Sequence, residues 1–108
     1  MPIYNKLVRD NMLEIIDSKG LTYRARTLEP IEFLTEVKAK MLEEAREFRE
    51  ATTEQEAIEE LVDILELVHT AISVLGVSYE ELESFRKHKK TERGGFDSGI
   101  YLIEVEEQ

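Results

Sequence analysis

The 108-residue sequence contains no cysteine, so disulfides and thiolate metal sites are excluded. It holds only two histidines, His69 and His88, too few for a typical zinc site. Carboxylate oxygens remain as ligands, and they suit hard cations such as Mg²⁺ or Mn²⁺. Positive charge is also scarce: 14 Lys and Arg stand against 24 Asp and Glu, for a net charge of −10. That deficit argues against polymeric nucleic acid as a partner, which requires a basic surface. No apolar run reaches the roughly 18 residues of a membrane span. The N-terminal Met-Pro-Ile-Tyr-Asn-Lys lacks the apolar core of a signal peptide. The expectation is a cytoplasmic protein with no membrane partner. The length fits one domain over residues 1–108, with one core, and neither a repeat nor a linker interrupts it.

Helical periodicity dominates what is there. Residues 11–19 read as a short helix capped by Asp10 or Asn11, with Gly20 just past its end. Pro30 suits the first turn of a helix reaching about Ala51, with an apolar stripe of Leu34, Val37, Met41, Ala45 and Phe48. Thr53-x-x-Glu56 reads as a capping box opening a helix that Gly76 stops. This helix carries two apolar faces, Ile58, Leu61, Leu65, Val68, Ile72 and Leu75 on one, and Ile64, Leu67, Ala71 and Val74 on the other. A helix apolar on two sides packs between neighbours. Ser78-x-x-Glu81 opens a further helix, which ends in the basic stretch Arg86–Lys90, before an Arg93-Gly-Gly loop. Alternation in 21–27 and in 101–105 predicts two short strands able to pair. The fold class expected is therefore mainly α: an antiparallel helical bundle with a small two-stranded β element.

Two carboxylate pairs stand out on the long helices, Glu44-x-x-Glu47 and Glu60-x-x-Asp63. The i, i+3 spacing puts each pair on one helical face. At about 100° per residue, Glu44 lies ~60° from Met41, at the edge of the apolar stripe, with Lys40 and Glu47 on the same flank and Glu43 pointing roughly opposite. Glu60 and Asp63 project along the second apolar face of their own helix. Two carboxylates about 4 Å apart repel by roughly 4 kcal/mol at an effective dielectric of 20. Four brought together call for a cation. The alternative is a solvated acidic face, since Glu-x-x-Glu is common in so acidic a chain. The basic cluster offers a similar choice. Lys87, Lys89 and Lys90 suit a helix C-terminus, whereas Arg93-Gly-Gly can also present backbone N–H groups to an anion. Lys6 and Arg9 read as surface charges or as further phosphate contacts.

Four segments resemble the MazG-like, all-α nucleoside triphosphate pyrophosphohydrolases, including the phosphoribosyl-ATP pyrophosphohydrolase-like branch. They are Tyr4–Asp10, Lys40–Glu47, Glu59–Asp63 and Lys90–Phe96. The resemblance implies hydrolysis of a (deoxy)nucleoside triphosphate to monophosphate and pyrophosphate, with Mg²⁺ or Mn²⁺ at Glu44, Glu47, Glu60 and Asp63. It implies water activation by Glu43 or Glu47, and substrate contacts from Lys40, Lys90 and Arg93. Lys87 stands where many relatives carry asparagine and is counted with the substrate-binding residues. Packing as a homodimer or homotetramer is implied too, in agreement with the two-faced third helix. Phosphoribosyl-ATP hydrolysis in histidine synthesis is the close alternative, and a non-catalytic helical interaction module the distant one.

Overall fold

The computed structural model describes residues 2–106. Four helices follow in order: α1 (Met12–Ser18), α2 (Pro30–Glu50), α3 (Glu54–Leu75) and α4 (Tyr79–Arg93). The chain divides into two compact units, the first ending at Gly76 and the second beginning at Val77.

In the first unit, α2 and α3 pack against each other across a turn of three residues, Ala51 to Thr53. Pro30 occupies the start of α2, where its missing N–H costs no intrahelical bond. Thr53 caps α3 by accepting the Glu56 N–H, at 3.1 Å. The return arm of the predicted box goes elsewhere: Glu56 Oε2 accepts from the backbone N–H of Thr52, at 3.2 Å. Gly76 ends α3 in the left-handed conformation, with φ 75°. Val37 on α2 is fully buried, and Ile72 on α3 is nearly so. The second face of α3, Ile64, Leu67, Ala71 and Val74, is half-buried. Much of the other face stays open, with Ile58, Leu61 and Leu65 each about half exposed. No single helix is long and apolar enough to cross a membrane.

α1 buries no residue and packs on no other helix among the described residues. In the second unit, Ser78 and Glu81 form a complete capping box at the start of α4: Ser78 Oγ accepts from Glu81 N, and Glu81 Oε1 accepts from Ser78 N. The helix continues through the basic stretch to Arg93, and Gly94 N donates to Lys90 O at 2.7 Å.

The two-stranded element expected from 21–27 and 101–105 does not form: no strand occurs among the described residues. Both segments are irregular, and every side chain in them is exposed. Alternation marks only the side of a strand that burial would favour, and neither segment has a buried face here. A two-stranded pair alone is marginal in water. Arg26 binds the first turn of α2 through Glu32 Oε2 at 2.8 Å, so the first segment ends as an arm on a helix.

Candidate metal centre

α2 supplies Glu43, Glu44 and Glu47, and α3 supplies Glu60 and Asp63. Packing of the two helices brings these five carboxylates into two overlapping groups that share Glu44. Ligand atoms of Glu43, Glu44 and Glu47 lie within 4.8 Å of one another, as do those of Glu44, Glu60 and Asp63. Glu44 is the pivot and is 5 % exposed, which makes it the most buried charged side chain of the first unit.

The amphipathic pattern explains that position. Glu44 lies one turn beyond Met41 and two beyond Val37, on the rim of the stripe that α2 turns toward α3. Lys40, one turn earlier, partly neutralises it: the ammonium lies 3.3 Å from Glu44 Oε1 and 3.2 Å from Glu43 Oε2. Burial lowers the lysine's proton affinity, but the two carboxylates outweigh that and leave it above its ordinary value.

Lys40 does not compensate the whole cluster. Glu44 Oε2 and Glu60 Oε2 are inaccessible to water and have no hydrogen-bond partner. Burying an ionised oxygen unpaired is costly, and proteins avoid it unless a cation or proton is shared. The Glu44 carboxylate, withdrawal from water and Glu47 together push the Glu60 carboxyl up to about 8. Glu47 is also raised, first by loss of water and then by Glu44. Glu43 moves the other way, because Lys40, and Lys6 after it, favour its ionised form against the cost of burial. A site built from acidic oxygens, with two of them orphaned, fits a hard divalent cation. Glu44, Glu47, Glu60 and Asp63 would hold it.

Helical spacing alone puts Glu43 off the flank of Glu44. Instead it is half-buried and its carboxylate reaches the cluster. A glutamate head sits several bonds from its Cα, so the wheel angle does not fix it, and Lys40 draws it in. Lys87, Lys90 and Arg93 lie exposed on α4, within the second unit. His69 and His88 belong to neither carboxylate group; His88 instead approaches Glu92 at 3.1 Å.

Two site residues were not distinguishable from surface charge by periodicity. Arg9 Nη2 lies 2.5 Å from Asp63 Oδ1, and Lys6 Nζ lies 3.3 Å from Glu43 Oε1. Both come from the irregular segment before α1, where no helical or strand period indicates a facing. Their presence in the Tyr4–Asp10 segment of the family resemblance is the only signal in the sequence.

No curated protein and no solved structure matches the chain. A family match does occur, to phosphoribosyl-ATP pyrophosphohydrolase, over residues 21–89. The matched stretch holds both long helices and all five clustered carboxylates, and it spans well over half of the sequence. On that match, the chain belongs to the phosphoribosyl-ATP pyrophosphohydrolase family, within the MazG-like all-α nucleotide pyrophosphohydrolases.

Proposed function

We propose that this chain hydrolyses a (deoxy)nucleoside triphosphate between the α and β phosphates, yielding monophosphate and pyrophosphate, in a Mg²⁺-dependent reaction that Mn²⁺ also supports. The observation that carries the reading is the orphaned oxygen of buried Glu44 at the centre of four other carboxylates. A purely solvated acidic face has no reason to bury one of its members. A divalent cation bound there would neutralise the carboxylates, polarise phosphoryl oxygens and make water easier to deprotonate.

The protein's own residues divide the remaining work. Lys40 holds Glu43 and Glu44 in place and offers cationic charge at the rim of the cluster. Glu47 is exposed and has a raised proton affinity, which makes it the better general base. Glu43, held ionised by two lysines, is a weaker proton acceptor and serves to position Lys40. Lys90 and Arg93, with Lys87, are assigned to the phosphates and the developing charge on pyrophosphate.

The working form is a homo-oligomer, dimer or tetramer. Ile58, Leu61, Val62 and Leu65 expose about half of each side chain along one face of α3, and Leu42 on α2 is 70 % exposed. A second copy supplies the same kind of surface and closes the helical core.

Hydrolysis in ¹⁸O-labelled water, over a panel of nucleotides with and without Mg²⁺, tests the reaction. Attack at the α-phosphorus places the label in the monophosphate, whereas label in pyrophosphate or in inorganic phosphate contradicts it. Phosphoribosyl-ATP belongs in the panel, because the family match carries that name. Cleavage of that compound alone selects the second reading, a histidine-synthesis enzyme. No cleavage of any nucleotide leaves the non-catalytic interaction module.

A further inference from the structure

Two ion pairs join the N-terminal segment to the carboxylate cluster. Arg9 is paired with Asp63, 54 residues away in sequence, and Lys6 with Glu43, 37 residues away. The helix that follows, α1, buries no side chain and packs on no other helix among the described residues. Of the two carboxylates that hold this strap, Asp63 is also one that a cation would take. Asp63 Oδ1 cannot give its full charge both to a guanidinium 2.5 Å away and to a divalent ion. The pairs are easily exchanged, since Arg9 and Lys6 are 57 % and 41 % exposed and solvent-exposed ion pairs bind weakly.

We propose that Lys6 and Arg9 form a counter-cation strap on Glu43 and Asp63, from which a divalent cation displaces Arg9, so that the freed guanidinium binds the triphosphate. The inference rests on the metal-dependent reading above. Charge accounting supports each part. Without a cation, Lys40 is the only other positive side chain paired with the five carboxylates among the described residues. When the cation takes Asp63, the Arg9 guanidinium loses its anion, while the Lys6–Glu43 pair keeps the segment at the rim. Guanidinium matches the geometry of phosphate oxygens closely, and a polyphosphate held at the cluster is the nearest replacement partner. Metal and triphosphate thus bind in a favoured order: the ion frees the arm that receives the nucleotide.

Mn²⁺ titration followed by electron paramagnetic resonance, with no nucleotide present, reads the first part. Arg9→Gln removes the competing cation, so it binds Mn²⁺ several-fold more tightly than wild type. Limited trypsin digestion reads the release: cleavage after Arg9 in wild-type protein accelerates on adding Mn²⁺. At saturating Mn²⁺, a non-hydrolysable nucleoside triphosphate binds Arg9→Gln about tenfold more weakly, a loss of one charge-assisted contact. Unchanged or weaker Mn²⁺ binding in Arg9→Gln overturns the strap, as does unchanged nucleotide affinity. Glu60→Gln keeps the two failures apart. If wild type binds Mn²⁺ and Glu60→Gln does not, the metal site stands whatever Arg9→Gln does. If wild type binds no Mn²⁺, the metal site and the strap fall together.

Discussion

Glu60 shows at single-residue scale what close packing of the carboxylates costs. Its carboxyl is raised from 4.5 to about 8, through Glu44, loss of water and Glu47 in that order. Between those values the folded chain keeps a proton that the unfolded chain releases. Stability from this group is therefore complete below the lower value and falls as pH rises to the upper one. Glu47 acts in the same direction. In chelator, the melting temperature should fall from about pH 5 to about pH 8, and saturating Mg²⁺ should remove most of that slope. A profile in chelator that is flat or rises across this window contradicts the packing of the carboxylates. The two candidate bases are separable by kinetics. Glu47→Gln should lower kcat by roughly 100-fold or more, the usual range for a general base. Glu43→Gln should cost about tenfold, because it loosens Lys40 without removing the proton acceptor. Equal losses in the two variants would remove the distinction drawn between them.

At the scale of elements, capping chemistry sets the boundaries of the helices that build the site. α3 places Glu60 and Asp63 a fixed number of turns after Thr53, and it ends at Gly76 in a left-handed conformation. A Cβ at Gly76 meets nothing within 4 Å, so its cost lies in the backbone alone. Gly76→Ala should destabilise the protein by about 1 kcal/mol, read from chemical denaturation, with metal affinity unchanged. These signals were legible in the sequence because each is local: proline at the start of α2, a threonine or serine cap, a glycine stop and a repeated apolar spacing. The β element was misread for the converse reason. Leu21, Tyr23 and Ala25 alternate as a strand does, but alternation cannot supply the neighbouring edge that pairs a strand's N–H and C=O groups. The site was legible to the same extent. Glu44, Glu47, Glu60 and Asp63 follow from helical spacing beside apolar faces. Glu43 escaped the wheel because its head is drawn in by Lys40. Arg9 and Lys6 escaped it because ion pairs across 54 and 37 residues leave no local pattern.

At the scale of the molecule, the open face of α3 and the acid cluster pose one question, namely what completes the unit formed by α2 and α3. For the apolar face the proposed answer is a second copy. Leu65→Glu, at a side chain 50 % exposed, should shift wild-type oligomers toward monomer in sedimentation velocity while leaving helicity intact. A wild-type monomer at working concentrations would contradict that assembly. For the cluster the proposed answer is a divalent cation that serves nucleotide cleavage. Pyrophosphate release measured against Mg²⁺ concentration, for wild type and for folded Glu44→Gln, tests this most directly. Wild type should release pyrophosphate only when Mg²⁺ or Mn²⁺ is present, and Glu44→Gln should be slower by roughly 100-fold or more at every Mg²⁺ concentration. Release that persists in chelator, or that survives Glu44→Gln undiminished, would contradict the account.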